Sequence, residues 1–454
     1  MKIHAIRINS ACLHKSLANL KEFLSKEDPA VLVVMSSEKA NSLFVNLIHK
    51  HLVIKEEASA ETQELIGYYS GLGKGVLGDS PQSRAYVAQV EETIGALVQT
   101  LIEGSLFKMD TRSLEDYALA NGAALSARLV QYYLHAARFI DGRDLVVSDD
   151  NFGDAVINWT ETRTRVQTAL EDVKGCTVVS AGFGKTKQGY TTSLGKGGFD
   201  LFTTTIGSIV PCDEVIIYTY VNGIYNADPA LVDQAVNLES ITYEEAAQLS
   251  FTANGAIYPP AIWPAVKANI PIVVKSVLEP GLKGTYISAG EDKLDHRLIK
   301  GITNLSGLDL ITVYGNGLLG QIGTSSKLFG LLSENGINIM FISQSSSEYS
   351  ISFAVDGKDG KKAVEAISKA RKNKQFLSLD ETVFVKKNVG IVSVCGNKMR
   401  NVPGVSGKLF SVLGAAGVNI IAAAQGGEEL NISVVVAEKD IARSVNAIFE
   451  AFLK

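Results

Sequence analysis

Residues 315–355 read GNGLLGQIGTSSKLFGLLSENGINIMFISQSSSEYSISFAV, and residues 396–436 read GNKMRNVPGVSGKLFSVLGAAGVNIIAAAQGGEELNISVVV. The two align without a gap at a constant offset of 81 residues. Gly315 meets Gly396, Lys327 meets Lys408, Phe329 meets Phe410, Asn338 meets Asn419, Gln344 meets Gln425, Glu348 meets Glu429 and Ser352 meets Ser433. Each copy reads strand, glycine-rich turn, amphipathic helix, strand, turn, strand. A second helix is predicted at GKKAVEAISKA (360–370) and at DIARSVNAIFEAFL (440–453). The pattern predicts two β-α-β-β-α-β units. One such unit is too small to bury much core alone, so side-by-side sheets are expected, within one chain or across a dimer.

Upstream, short β-branched runs alternate with helical patterns, which marks an α/β domain. Strands are predicted at 3–8, 30–36, 177–183, 213–219 and 271–276. The stretch 83–104 places Val87, Val90, Ile94, Leu97, Val98 and Leu101 at helical spacing. A second helix is predicted from about Ser113 to Ala137 with Asp110 as N-cap, and a third over 242–251, where Thr242 and Glu245 have capping-box spacing. Residues 279–296, polar and carrying Pro and Gly, are the expected linker. The domain limits read from this are 1–290, 291–380 and 381–454.

Composition excludes several classes of function. The 454 residues suggest two to four domains. With 43 basic against 48 acidic residues the net charge is −5, which leaves no electrostatic footprint for nucleic acid. Cys12, Cys176, Cys212 and Cys395 lie far apart, as expected in a reducing compartment. The start, MKIHAIRINSACLHKS, does not read as a signal peptide, and no run reaches membrane-spanning length. A cytoplasmic location is the expectation. GLGKGVLG (71–78) follows no strand and reads as a flexible loop, not a dinucleotide fingerprint. The GKT at 184–186 has Val179 where a phosphate loop of the Walker type needs glycine. Six histidines show no metal-ligand spacing, so no metal site is expected.

TTSLGKGGFD (191–200), YTYVNGIYNADPALV (218–232), TYEEAAQLSF (242–251) and the doubled repeat together resemble the aspartate kinases. The resemblance covers essentially the whole chain. It implies an α/β fold, an amino-acid kinase-like αβα sandwich followed by two ACT-type, ferredoxin-like βαββαβ domains. It also implies an enzyme that uses Mg-ATP to phosphorylate the side-chain carboxylate of L-aspartate, with ACT domains that bind an end-product amino acid. Phosphoryl transfer needs positioning and charge stabilisation more than covalent help, so lysine, arginine and glycine amides are the expected tools.

Several of those tools are changed here. The family's Lys-Phe-Gly-Gly-Thr-Ser becomes Arg7-Ile8-Asn9-Ser10-Ala11-Cys12, which keeps the charge as a wide guanidinium fork and loses both glycines. Its Gly-Glu-x-x-Ser becomes Gly122-Ala123-Ala124-Leu125-Ser126, without the carboxylate for the substrate ammonium. In Leu-Gly-Arg-Gly-Gly-Ser-Asp the arginine and serine become Lys196 and Phe199, while Gly195, Gly197, Gly198 and Asp200 persist. The nucleotide segment becomes 219–230 and loses two acids and an arginine. The Gly-Ala-Lys-x-x-His-Pro segment becomes 253–259 and loses a lysine.

By resemblance, Arg7, Lys196 and Asp200 are the catalytic candidates. Gly195, Gly197, Gly198, Thr219 and Tyr225 are the nucleotide candidates, and Ser126 is the substrate candidate. Asn338, Gln344, Asn419 and Gln425 are the candidate effector contacts, for threonine or lysine. Residue chemistry leaves alternatives open: Arg7 as an ion pair, Asp200 as a helix cap, Thr219 and Tyr225 as packing groups, and Phe199 as a plug in the substrate pocket. Two functions remain open. One is a sensor with an eroded kinase site, dimeric through its ACT domains and acting on a motif-complete aspartate kinase. The other is an active aspartate kinase under feedback control.

Overall fold

The computed structural model describes the chain except residues 8–11, 26–29, 55–57, 137, 251–256, 280, 291–296, 316–322, 347–348 and 374–381. Asn9, Ser10, Ala11, 253–256 and Glu348, all read from the sequence above, lie outside the described residues. The chain forms two compact units. One holds Met1–Ile224, Asn237–Ser250 and the described residues from Ile257 to Gly290, and the other holds Tyr225–Val236 and those from Arg297 to Lys454.

The first unit runs β1 (Lys2–Arg7), α1 (Leu13–Leu24), β2 (Ala30–Met35), α2 (Glu38–Ile48), α3 (Ser59–Leu77), α4 (Pro81–Leu106), α5 (Thr111–Leu134), β3 (Arg138–Ile140), α6 (Trp159–Leu170) and β4 (Cys176–Ser180). A small hairpin follows, β5 (Phe183–Lys185) and β6 (Thr191–Ser193). Then come α7 (Gly198–Ile209), β7 (Glu214–Thr219), β8 (Ser240–Thr242), α8 (Tyr243–Leu249), α9 (Ile262–Ala268), β9 (Ile272–Ser276) and β10 (Thr285–Ser288). Eight strands form one sheet in the order β3-β4-β2-β1-β7-β9-β10-β8. The run from β3 to β9 is parallel, with Ile3 opposite both Val31 and Val215. The central strands carry unbroken apolar runs because both faces are covered: Val31 to Val34 are all fully buried.

Predicted caps hold. Asp110 accepts from the Arg112 N–H at 2.8 Å, and Thr242 and Glu245 form a reciprocal capping box. Two expectations fail. Residues 71–77 are not a loop but the last turns of α3, where a Cβ on Gly73 would lie 2.5 Å from the Tyr86 ring. Glycine there brings α3 close to α4, so its role is packing. The expected linker 279–296 contains β10, antiparallel to β9, with Ile287 buried between partly exposed neighbours. Four residues of alternation were too short to stand out in a polar stretch.

The second unit runs β11 (Gly301–Tyr314), α10 (Thr324–Glu334), β12 (Phe341–Gln344), β13 (Ser350–Asp356), α11 (Gly357–Lys372), β14 (Thr382–Cys395), α12 (Val405–Ala415), β15 (Ala422–Gln425), β16 (Asn431–Ala437) and α13 (Ile441–Phe452). The offset of 81 carries β11, α10, β12 and β13 onto β14, α12, β15 and β16 residue for residue. All six strands form one sheet, β12-β13-β11-β14-β16-β15.

The centre of that sheet refines the expected topology. β11 and β14 pair antiparallel along their whole length, from Gly301 opposite Cys395 to Tyr314 opposite Thr382. The later half of β11 pairs with β13, and the later half of β14 pairs with β16. Each repeat therefore takes its fourth strand from the other's long strand, and neither closes a four-stranded sheet alone. Paired hydroxyls mark the symmetry: Thr312 with Ser352 at 2.9 Å, and Ser393 with Ser433 at 2.7 Å. Separate helix-side cores form around Phe353 and Val434. A third apolar cluster draws Leu310 and Phe341 from one repeat and Ile391 and Val435 from the other. Among the described residues, no helix is long and apolar enough to cross a membrane.

Because the strands interlock, the repeats are expected to unfold together. Phe353→Ala, which empties a fully buried site, is expected to cost about 3–5 kcal/mol. Native-state hydrogen exchange is expected to show faster exchange in β16 as well as β13. Faster exchange confined to β13 would contradict the interlock.

Candidate functional site

In an open parallel sheet, ligands sit beyond the carboxyl ends of strands where the strand order switches direction. Here β1 lies between β2 and β7, so the ends at Arg7, Met35 and Thr219 face that position, with α7 entering from the β5–β6 hairpin.

The glycine-rich turn leads into α7. Gly195 and Gly197 both have φ of 69°, and the Gly198 N–H donates to the Gly195 carbonyl at 3.0 Å. A Cβ on Gly195 would lie 2.4 Å from an Asp154 oxygen, and one on Gly197 would lie 2.0 Å from the Tyr258 ring. Both positions thus need glycine for backbone conformation and for close protein packing, whether or not a phosphate approaches. The Lys196 side chain is exposed at the tip of the turn.

Phe199, in the first turn of α7, is only 3% exposed. The Arg7 guanidinium lies over its ring, 5.7 Å from the centroid. Arg7 also approaches the exposed Glu38 carboxylate at 3.9 Å, a pair too long and too solvated to fix it strongly. The Tyr220 hydroxyl donates to the Arg7 carbonyl at 2.8 Å, tying the β1 and β7 ends together.

Asp200 does not cap its own helix: Gly197 is the N-cap, and the carboxylate accepts from the Tyr258 N–H at 2.8 Å. Burial pushes its carboxyl up to about 6, against the opposing effects of that hydrogen bond and the Arg7 charge. Thr219 donates its hydroxyl to the Val221 carbonyl at 2.5 Å.

Ser126 is buried within α5 and donates to the Gly122 carbonyl at 2.9 Å, which also accepts from the Tyr69 hydroxyl at 3.1 Å. Ala123, fully buried, packs with Ala120 and Phe183. The first unit thus gathers Arg7, Phe199 and Asp200 beside the turn of Gly195–Gly198. Ser126 is enclosed in the helical layer, and Tyr225 belongs to the second unit.

Sequence reasoning missed two groups. Tyr258 covers Gly197 and donates to Asp200. Asp116, 2% exposed on α5, accepts from the Gly153 and Ser193 N–H groups, each at 2.9 Å. Burial pushes its carboxyl up to about 6. Its signal was an acid on an otherwise apolar helical face in SLEDYALANGAAL (113–125).

In the second unit, Gln344 and Gln425 end β12 and β15, and both are exposed, as are Asn338 and Asn419. The Gln425 side-chain oxygen accepts from the Ser406 hydroxyl at 3.3 Å, in the first turn of α12. The Ser343 hydroxyl donates to the Ala423 carbonyl at 3.2 Å, so the two outer strands approach each other. Gln344 and Gln425 therefore sit at the ends of neighbouring strands, while Asn338 and Asn419 precede the starts of those strands. Among the described residues, no group of His, Cys, Asp or Glu could hold a metal ion.

The model of the amino acid kinase family matches residues 7–276, and the ACT domain model matches 311–370 and 392–452. The chain belongs to the amino acid kinase family. It carries tandem ACT domains, and its relatives are aspartokinases. It is 28% identical over 466 residues to a chloroplastic bifunctional aspartokinase/homoserine dehydrogenase of Daucus carota, covering 98% of this chain and 50% of that protein. A bifunctional aspartokinase/homoserine dehydrogenase of Haemophilus influenzae is 32% identical over 335 residues, covering 73% and 41%. Aspartokinase 2, chloroplastic, of Arabidopsis thaliana is 25% identical, covering 100% and 84%. The chain spans about half the length of the bifunctional relatives.

The fold matches E. coli aspartokinase III in complex with aspartate and ADP (R-state) at a TM-score of 0.83. The same enzyme in complex with lysine and aspartate (T-state) matches at 0.80. Each is 20% identical and covers all of both chains. The expected α/β architecture and family are borne out.

Both raised carboxyls bind protons in the folded chain at pH values where an unfolded aspartate, near 3.9, has lost them. Their contribution is therefore most favourable below about pH 4 and is lost as pH rises toward 6. Asp116→Asn and Asp200→Asn are each expected to flatten the fall in stability over that window in urea unfolding. A profile unchanged in both variants would contradict the burial argument.

Proposed function

We propose that this chain is an amino-acid-sensing regulatory member of the aspartokinase family whose kinase site does not accept aspartate. The observation that carries the reading is Phe199. The resemblance puts a substrate-binding serine at this position, and here a ring 3% exposed lies under Arg7. The other substrate positions agree. Ala123, at the place of the ammonium's carboxylate, is packed among apolar side chains, and the Ser126 hydroxyl is bonded inside its own helix. Loss of one preorganised donor costs about 10²–10³ in rate, and several are lost together.

The residues fit Mg-ATP only in part. Arg7, Lys196 and the N-terminus of α7 offer positive charge to phosphate oxygens. Thr219 is engaged with the backbone of Val221. What favours the second reading, an active kinase, is that Lys196 stands exposed at the tip of the turn.

The sensing reading rests on Gln344, Gln425, Asn338 and Asn419, exposed at matching places in both repeats. The bound lysine of the E. coli enzyme supports an amino-acid effector, lysine or threonine. A homodimer through the ACT domains and action on a motif-complete aspartate kinase complete the proposal.

Titration calorimetry with threonine and lysine tests the sensing half. One of the two is expected to bind, and Gln344→Ala or Gln425→Ala to weaken it about tenfold, the loss of about one hydrogen bond. Lys196→Ala is expected to leave it unchanged. Absence of binding by either amino acid would overturn the effector assignment.

A further inference from the structure

The two repeats match residue for residue, yet one outer edge is covered and its equivalent is open. The first half of β11 lies beyond the reach of β13, whose pairing begins at Leu308. That edge is covered by Tyr225–Val236. The Ile302 N–H donates to the Asn226 carbonyl at 2.8 Å, and the Asn446 side chain of α13 donates to the Leu231 carbonyl at 2.9 Å. Ala227 and Val232 are buried in the same core as Ile302. The segment thus lies along a groove between α13 and the edge of β11.

The offset of 81 carries this groove onto the first repeat. Ile302 becomes Val383, Asn446 becomes Glu365, and α13 becomes α11, which packs over β11, β13 and β14. The first half of β14 lies beyond β16, whose pairing begins at Val389. Among the described residues no strand pairs with this outer edge. Residues 384–388 are all exposed, with Phe384 at 57% and Val385 at 37%.

Charge distinguishes the two grooves. The open one carries exposed Lys361 and Lys369 on α11 and Lys387 on β14, against Glu365, and Lys386 stands exposed on the opposite face of the same edge. The equivalent positions are Ala442, Glu450 and Ser306, against Asn446, with Leu305 packed on the opposite face. In a chain of net charge −5 this is a local basic face.

We propose that the groove between α11 and the open edge of β14 docks a short acidic segment of a partner protein, as the equivalent groove holds Tyr225–Val236. A main-chain carbonyl of that segment would accept from the Val383 N–H, small apolar side chains would cover Val383 and Val385, and carboxylates would meet the lysines. Unpaired edges take up segments in this way, and the lysines that discourage pairing between like edges favour an acidic guest. A second copy docked edge to edge would bring both sets of lysines together, so the acidic partner is the occupant chosen.

The probe is a labelled peptide of sequence YNADPALVDQAV, the segment that fills the equivalent groove, titrated against the full chain by fluorescence anisotropy. Saturable binding is expected, weakened at least tenfold by the double variant Lys386→Glu/Lys387→Glu and by raising salt from about 50 to about 500 mM. Hydrogen exchange is expected to show protection at 382–388. Both lysines are exposed, and circular dichroism checks that the variant is folded.

No saturable binding overturns the proposal, as does protection at 301–305 instead, which would mean displacement of the chain's own segment. Equal affinity for a charge-matched oligonucleotide also overturns it. So does a dimer whose protection at 382–388 rises with protein concentration, which assigns the edge to a second copy.

Discussion

The second unit depends on one constraint: β11 and β14 must pair along fourteen residues each, about a local two-fold axis. A β-α-β-β-α unit with three strands leaves a central edge unpaired, and unpaired backbone groups at the centre of a core are costly. Sharing the long strands satisfies both repeats at once. It also brings the ends of β12 and β15 near each other, where Gln344 and Gln425 lie. A ligand at those strand ends would meet both repeats, which is what a sensor needs if binding is to be felt across the unit.

In the first unit the same packing constraint explains why the glycine-rich turn before α7 keeps its glycines. Gly195 and Gly197 are held by Asp154 and Tyr258, so their loss would strain the fold irrespective of any ligand. Asp200 is held by the Tyr258 N–H. The resemblance puts Phe199 and Ala123 at positions that face the substrate, and under the proposed reading they stand where the family has polar groups. On that reading, apolar side chains in place of hydrogen-bonding ones would exclude a charged amino acid, because its ammonium and carboxylates would lose water without gaining partners.

Much of this was legible in the sequence. The 81-residue repeat gave its strands and helices directly, because burial on one face imposes a period that survives duplication. The parallel strands showed as apolar runs, and the Asp110 and Thr242 caps showed as local chemistry. What stayed hidden was non-local. Nothing in the 315–355 stretch says that its fourth strand comes from residues 382–389. Nothing in 225–236 says that Ala227 and Val232 build the core of the second unit. The role of Tyr258 was hidden because its contact with Gly197 spans some 60 residues of chain. Gly73 misled for the opposite reason: its local sequence favours a loop, and tertiary packing against Tyr86 overrides it.

Under the proposed reading the kinase scaffold does not handle aspartate. The most direct measurement is ADP release by the purified chain with Mg-ATP, with and without aspartate, beside the same assay on Phe199→Ser. No aspartate-dependent release is expected from the wild-type chain, and none is expected to be restored by the single substitution, because Ala123 cannot pair with the ammonium. Aspartate-dependent turnover by the wild-type chain would contradict that reading and make this protein a working aspartokinase.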